Sequence, residues 1–224
     1  MINITSTAAA KRAAGNVSCR NSKMPGSTFA ADPMACPVGQ KLATVPGSVC
    51  EGCYAIKLAK LRPSCAKGWS ANQDKLEQID RESFVAGAIF QITLLASKSG
   101  EHFHRWFDAG DLPNEEALDR IVEIARKTPD IAHWLPTREL KTVAAWRKAH
   151  GEFPSNLMVR LSSTRIGDAP RDRAAAANGM GTSTVHRKGE DHHGHACPAP
   201  SQGGNCGTCR ACWSSSKNVS YLKH

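Results

Sequence analysis

Seven of the nine cysteines fall into two groups whose spacing is suited to metal binding. The C-terminal group has one cysteine, eight intervening residues and then a C-x2-C-x2-C run: Cys197, Cys206, Cys209 and Cys212. Two-residue spacings let a glycine-rich loop turn its thiolates toward one centre. Four thiolates suit either a tetrahedral zinc ion or a [4Fe-4S] cluster. Because structural zinc usually takes two separated C-x2-C pairs, the single run favours the cluster, and zinc is the alternative.

The N-terminal group consists of Cys36, thirteen intervening residues, and the pair Cys50 and Cys53. Three thiolates leave one iron of a [4Fe-4S] cluster without a protein ligand, and an open metal site is where chemistry can occur. The alternative adds Cys65, which would give a closed site with four thiolates. Cys19 has no predicted function.

The composition of the chain limits the classes of protein to which it can belong. The chain has 224 residues, 41% of them hydrophobic, which is enough for the core of one sizeable domain. Its longest apolar stretch, residues 84–96, is shorter than the roughly 20 residues that cross a bilayer. The N-terminus has no secretion signal, so the cytosol is expected. In that reducing compartment, clustered cysteines indicate metal ligands rather than disulfides. The net charge of +9 makes nucleic acid a possible partner, although a basic surface also favours solubility alone.

Three segments are predicted: a flexible arm over residues 1–22, the main domain over 23–190, and a cysteine-rich tail over 191–224. Proline and glycine punctuate a long loop from residue 23, and helical periodicity follows over residues 70–97, as one helix or as two segments. Strand-like stretches beginning near residues 102, 131 and 156 then alternate with amphipathic helices. This alternation predicts an α/β fold with parallel strands, whose polar carboxyl ends share one edge of the sheet.

Side chains at those strand ends are candidates for ligand binding. A glycine lets a ligand approach the backbone, a carboxylate pairs with an ammonium group, and arginine or hydroxyl groups bind carboxylate, ribose or phosphate. The alternative is a structural role as helix caps or surface ion pairs. Four histidines near the tail, His186, His192, His193 and His195, are weaker candidates for a metal site. The strand-end candidates are Asp108, Gly110, Asp111, Thr137, Arg138, Arg160, Ser162 and Ser163.

Several motifs, in order along the chain, resemble the phage gene product 88 family. They are "KMPGSTFA", "PGSVCEGCYA", "HRWFDAGDL", "HWLPTREL", "NLMVRLSS" and "CGTCRACW". In turn, a Cys...Cys-x2-Cys-Tyr pattern followed by β-α units is similar to radical S-adenosylmethionine (SAM) enzymes. That resemblance implies a partial (β/α) barrel, a truncated form of the radical SAM core.

The resemblance also implies functional roles. Cys36, Cys50 and Cys53 would hold a [4Fe-4S] cluster whose fourth iron binds SAM, with Tyr54 close to the cofactor. The segment from Asp108 through Gly110 to Asp111 would contact the methionyl amine. An electron donor, a substrate of unknown identity and a location in the host cytoplasm follow from the same resemblance. The radical SAM pattern has three residues between its first two cysteines, whereas this chain has thirteen. The competing interpretation is a non-catalytic protein in which zinc or clusters only stabilise loops, and which binds nucleic acid or transfers electrons.

Overall fold

The structure, a computed structural model, describes residues 2–19, 23–214 and 217–223. Within these residues one eight-stranded sheet has the order β1-β2-β3-β4-β5-β6-β8-β7. Its first pair is antiparallel and the others are parallel. The predicted α/β class is confirmed, and the partial barrel stays a prediction. The strands are β1 (Val17–Cys19), β2 (Ser27–Phe29), β3 (Phe103–Trp106), β4 (Ala132–Thr137), β5 (Leu157–Ser162), β6 (Gly181–His186), β7 (His195–Ala196) and β8 (Val219–Leu222).

The helices of the described residues follow the alternation that the sequence predicts from β3 onward. Helix α6 shows why: Asn114 caps it by accepting the N–H of Ala117 at 2.9 Å, and its acids come early and its bases late. The helices are α1 (Thr7–Ala14), α2 (Pro37–Ala43), α3 (Tyr54–Leu61), α4 (Pro63–Gln78), α5 (Arg81–Ser99), α6 (Glu115–Lys127), α7 (Leu140–His150), α8 (Asp172–Ala176) and α9 (Ala211–Ser214), with 3-10 turns at Pro33–Ala35 and Ala199–Gln202.

The two faces of the sheet pack against different parts of the chain. Side chains such as Leu135 and Val159 join the main core with the helices. Trp134, next to Leu135 on β4, faces the other way and packs with Trp213 of the C-terminal tail. Neighbouring strands β2 to β6 follow one another in sequence, so their carboxyl ends lie at one edge of the sheet. This edge carries the candidate site.

The N-terminal segment differs from the predicted flexible arm. Helix α1 packs on α5, and Ala10 and Ala14 are fully buried there. Gly87 of α5 makes this close packing possible, since a Cβ at that position would lie 2.9 Å from the carbonyl oxygen of Ala10. An alanine-rich segment has no strong amphipathic pattern, and its burial depends on a partner far away in sequence.

Two further segments also differ in detail from the sequence-based expectation. The long loop after residue 23 contains the short helices α2 and α3. The helical periodicity over residues 70–97, which allows two segments, corresponds to the two helices α4 and α5; Asp80 caps α5 by accepting the N–H of Ser83 at 2.8 Å. The cysteine-rich tail contributes β7 and β8 to the same sheet.

Candidate functional site

The loop that carries Cys50 and Cys53 rests on the carboxyl edge of the sheet. The N–H of Val49 donates to the carbonyl of Thr164 at 3.1 Å, just beyond β5. Helix α2, which begins directly after Cys36, is tied to the end of β4 because Val38 N–H donates to Glu139 Oε1 at 2.7 Å. Segments that follow β4 and β5 therefore hold both parts of the N-terminal cysteine group.

The three thiols of this group lie near one another. A Cβ at Gly39 would lie 3.6 Å from Cys36 Sγ and 3.9 Å from Cys50 Sγ, so both sulfurs face the space that this glycine leaves open. Burial raises the pKa of the Cys36 thiol, and the charges of Cys53 and Cys50 raise it further. Burial also raises the pKa of Cys50, against the lowering effect of Arg138.

Asp111 and Arg138 join the ends of β3 and β4 beside these thiols. Asp111 is buried, and its Oδ1 accepts the N–H of Leu112 at 2.7 Å while its Oδ2 accepts the N–H of Arg138 at 3.1 Å. Burial raises the pKa of Asp111, while the charge of Arg138 and a hydrogen bond from Thr137 lower it. The guanidinium of Arg138 also donates through Nε to the carbonyl of Ser163 at 3.2 Å. Three strand ends are thus joined by polar contacts.

Asp108 and Tyr54 meet across the same edge. The Tyr54 hydroxyl donates to the backbone carbonyl of Asp108. The residue as a whole is 57% exposed, and desolvation, partly offset by the charge of Arg105, raises the pKa of its hydroxyl. Asp108 Oδ1 is buried and has no hydrogen-bond partner among the described residues. Phe107, just before it, has a φ of 53°, a conformation costly for a non-glycine residue. The chain turn after β3 therefore presents an acceptor that nothing in the described chain satisfies.

Gly110, Ser162 and Thr137, which were also predicted at this edge, have partners within the protein, whereas the buried Ser163 Oγ has none among the described residues. Gly110 has a φ of 85°, and a Cβ there would lie 2.9 Å from the backbone of Ala31. Close packing against the chain after β2 therefore accounts for this glycine. Ser162 Oγ accepts a hydrogen bond from Ser183 Oγ at 3.2 Å. Thr137 Oγ1 accepts the N–H of Glu139 at 3.0 Å.

Arg160 lies apart from these residues. It is fully buried on the opposite face of the sheet from the helices, and it donates to the tail. Its Nη2 lies 2.7 Å from the carbonyl of Ala211 and its Nε 3.1 Å from that of Cys212. Its Nη1 lies 2.8 Å from the carbonyl of Thr182 and 3.0 Å from that of Lys217. Arg160 therefore anchors α9 and does not join the strand-end residues.

The C-terminal cysteines form the second group. Burial raises the pKa of Cys206, and the charges of Cys197 and Cys209 raise it further. Burial likewise raises the pKa of Cys212 to about 11, while a hydrogen bond from the Tyr221 hydroxyl, 3.2 Å from its sulfur, lowers it.

The predicted histidines lie at varying distances from this group. His195 Nε2 lies 3.3 Å from Cys209 Sγ. His186 and His192 have ring centroids 5.8 Å apart, and the backbone carbonyl of His193 accepts a bond from Asn218. Of the four histidines, His195 is the one that contacts a cysteine sulfur in the described residues.

The two cysteine groups lie at opposite edges of the sheet. The N–H of Cys206 donates to the carbonyl of Lys23, just before β2, at 2.8 Å. Arg210 lies 3.5 Å from Glu101, just before β3. The tail group is therefore at the amino ends of the strands, whereas Cys36 and Cys50 are at the carboxyl ends. Strand β3 alone spans about 13 Å at 3.3 Å per residue, so one cluster cannot take ligands from both groups.

Cys65 lies on α4, beyond α3. In the part of the chain that the structure describes, no three His, Cys, Asp or Glu side chains are arranged to hold a metal ion. Metal binding at both groups therefore stays a prediction. No described helix is long and apolar enough to cross a membrane.

Comparison with known proteins identifies the family. The model of the family described as Gene product 88 matches residues 3–215 of the chain. The chain belongs to the gene product 88 family. The phage family predicted from the motifs is thereby confirmed. Neither the curated proteins nor the solved structures contain a match. The similarity to radical SAM enzymes stays a prediction.

Two residues of this gene product 88 chain were not among the sequence-based candidates. Glu139 holds α2 against β4, and burial raises its pKa. Arg105 lies 4.6 Å over the ring of Trp134, and its charge lowers the pKa values of Tyr54 and Cys206. The alternation of side chains along a strand could have placed Arg105 on the face opposite Trp106. Its position between the two cysteine groups could not be predicted, because it depends on how the tail packs on the sheet.

Proposed function

We propose that this gene product 88 protein is an iron-sulfur redox protein that acts as a radical SAM-like enzyme. The observation that supports it most is the convergence of Cys36, Cys50 and Cys53 over the carboxyl ends of β3 to β5. Edges of this kind carry the chemistry in α/β folds. The proposal includes the fold, in which the successive parallel strands β2 to β6 would curve into a partial barrel.

The donor set suits an open [4Fe-4S] cluster. A single zinc ion needs sulfurs about 2.3 Å from one centre, whereas each corner of a cluster takes its own thiolate. Gly39 leaves space beside Cys36 Sγ and Cys50 Sγ that a side chain would reduce. The thiols must rotate toward the cluster and lose their protons when it assembles, which makes binding dependent on pH. The proposal leaves Cys65, which lies on α4 beyond α3, out of the ligand set.

The chemistry that such a cluster supplies is one-electron transfer to SAM, which generates a radical that removes hydrogen from a substrate. The protein's own residues would bind and orient. The buried and unpartnered Asp108 Oδ1 would accept from an ammonium group, for which the methionyl amine is suited. Tyr54, Thr137 and Arg138 would hold the strand ends in position. Gly110 and Ser162 have partners within the protein, and Arg160 anchors the tail, so the proposal gives them no ligand.

A second [4Fe-4S] cluster is proposed for the tail, with zinc as the alternative. The charge of Cys209 raises the pKa of Cys197, and the charges of Cys197 and Cys209 raise that of Cys206. Cys212 lies in α9, the helix that Arg160 anchors. Because all four cysteines belong to one glycine-rich segment with little core, the role of this group would be mainly structural.

Anaerobic reconstitution tests the proposal. We expect about eight iron and eight sulfide ions per chain, four for each cluster. Adding SAM should alter the electron paramagnetic resonance spectrum of the reduced protein. Cys50→Ser should halve the iron content and abolish the response to SAM, whereas the matched control Cys65→Ser should retain both.

Two other results would contradict the proposed function. Stoichiometric zinc without sulfide would favour a non-catalytic protein in which the metal only stabilises loops. Loss of the cluster in Cys65→Ser, with no response to SAM in the parent chain, would establish a closed site. The enzymatic function would then give way to electron transfer or a structural role.

A further inference from the structure

Large apolar side chains are exposed beside the N-terminal cysteine group. Among the described residues, Met34 is 54% exposed, Tyr54 57% and Leu61 77%. Tyr54 and Leu61 begin and end α3, and Met34 lies in the 3-10 turn that contacts this helix. Burying a leucine side chain is worth about 1.5–3 kcal/mol, so leaving several such groups in water forfeits stability. A patch of this kind typically marks an interaction site.

The exposed residues of α3 lie on one face. The exposed Tyr54, Lys57 and Leu61 are spaced i, i+3 and i+7, and the half-buried Leu58 at i+4 lies beside them, which aligns these side chains along one stripe. Ala55, about a quarter-turn around the helix from Tyr54, is buried against the protein. Helix α3 therefore directs two of its largest apolar groups, Tyr54 and Leu61, outward. We define the docking face as this stripe together with Met34 and the cations Lys60 and Arg62.

The docking face carries unpaired positive charge. Lys57, Lys60 and Arg62 form no ion pair among the described residues. Lys57 Nζ reaches back over the cysteine loop, 3.2 Å from where a Cβ of Gly52 would lie. The nearest acid along the chain, Glu51, is turned toward the loop, where it accepts the N–H of Gly47 at 2.7 Å. The face is thus complementary to an acidic surface.

The combination of groups favours a protein over a nucleic acid. Protein interfaces have an apolar centre rich in aromatic residues and methionine, with a charged rim. Phosphate contacts would occupy the lysines but would leave Leu61 and Met34 without an apolar partner. An acidic protein with an apolar centre matches both features.

The docking face adjoins the proposed cluster. Tyr54 directly follows Cys53, and its hydroxyl donates to the backbone of Asp108 at the carboxyl edge. A protein seated on α3 would therefore cover the loop from Cys50 to Cys53. We propose that this face docks an acidic one-electron carrier protein. Its role as an electron donor depends on the proposed function, but the docking itself does not. In the exchange the reduced carrier loses one electron and the cluster site gains it, with no bond made or broken.

Binding to a plant-type ferredoxin, a small acidic [2Fe-2S] protein, tests this proposal. The full chain is measured by calorimetry at low and at physiological salt, both metal-free and anaerobically reconstituted. The variant Lys57→Glu/Lys60→Glu should weaken binding at least roughly tenfold. The matched control Lys141→Glu/Lys148→Glu makes the same change of charge on the exposed surface of α7 and should change binding less than about twofold. Leu61→Ser should weaken binding similarly at both salt concentrations.

Each other outcome overturns the docking. These outcomes are no binding at about 1 mM ferredoxin, equal weakening by both double variants, or no effect of Leu61→Ser. Binding of single-stranded DNA that requires Lys57 and Lys60 but not Leu61 would assign the face to nucleic acid instead. If ferredoxin binds the docking face but the reconstituted chain contains no iron, the docking stands and the proposed function fails.

Discussion

Asp111 accepts the backbone N–H of Arg138 at 3.1 Å, and this bond joins the chain after β3 to the chain after β4. Its other carboxylate oxygen accepts the N–H of Leu112 at 2.7 Å. Both oxygens are therefore used by the protein itself, although the residue lies beside Cys36. The sequence-based alternative made Asp111 a helix cap, but Asn114 caps α6, and Asp111 instead binds the backbone at two strand ends.

Asp111→Asn should destabilise the fold. An amide has one oxygen, so one of the two N–H groups would face an NH2 group and lose its acceptor in a buried position. We expect a loss of about 1–3 kcal/mol in the free energy of unfolding, measured by urea denaturation. The exposed control Asp168→Asn should change the free energy by less than about 0.5 kcal/mol. Equal effects of both variants would contradict a buried, doubly bonded carboxylate.

Gly39→Ala should impair the N-terminal cysteine group. The added Cβ would lie 2.8 Å from the Cβ of Cys36, so the helix or the cysteine must shift. We expect lower iron retention after anaerobic reconstitution, together with a lower melting temperature. Gly68→Ala on α4 is the control, because a Cβ there meets no atom within 4 Å. That change should stabilise the helix by about 0.5–1 kcal/mol. Full iron retention in Gly39→Ala would argue against the space assigned to the cluster.

Arg160→Lys should release the tail. An ammonium group donates from a single point and cannot reach the carbonyls that the guanidinium joins, including those of Ala211, Cys212 and Thr182. Leaving them unsatisfied should cost on the order of 3 kcal/mol. Limited proteolysis should then cut near α9, and melting should occur at lower temperature. The exposed control Arg173→Lys on α8 should behave like the parent chain; an uncut tail in Arg160→Lys would show that the anchor is not needed.

His133 should make the fold sensitive to acid. Burial lowers its pKa from 6.5 to about 3. Neutral His133 accepts the Trp106 Nε1–H at Nδ1, at 3.3 Å, and its Nε2 pairs with Thr128 Oγ1 at 2.8 Å. Between pH 6.5 and 3 the unfolded chain binds a proton that the folded chain does not. Stability from this group is therefore complete above pH 6.5 and is lost as pH falls, by about 1.4 kcal/mol per unit.

Urea denaturation at pH 7 and pH 5 measures this dependence. His133→Gln should reduce the difference between the two pH values, and the exposed control His102→Gln should leave it unchanged. Burial also lowers the pKa of His104, which is present in both variants. Part of the pH dependence of stability should therefore remain in each of them. An unchanged difference in His133→Gln would mean that the histidine is not held neutral.

Local patterns in the sequence predicted the elements from β3 to β5. Alternation placed β3, β4 and β5, and early acids with late bases marked α6, because these signals act between residues a few positions apart. The family was predicted from the same motifs. The arm was the weakest prediction, since the burial of Ala10 and Ala14 depends on α5, more than seventy residues away.

The sequence by itself determined the cysteine spacing, the α/β alternation and the gathering of Asp111, Thr137 and Arg138 at one edge, because parallel strands bring their carboxyl ends together. Tertiary structure alone decided which partner each polar group takes. It directed Arg160 to the tail and separated the two cysteine groups to opposite edges of the sheet. The physical reason is that a buried polar group must be satisfied by whatever atom the packed chain brings within hydrogen-bonding distance, and that atom is generally remote in sequence.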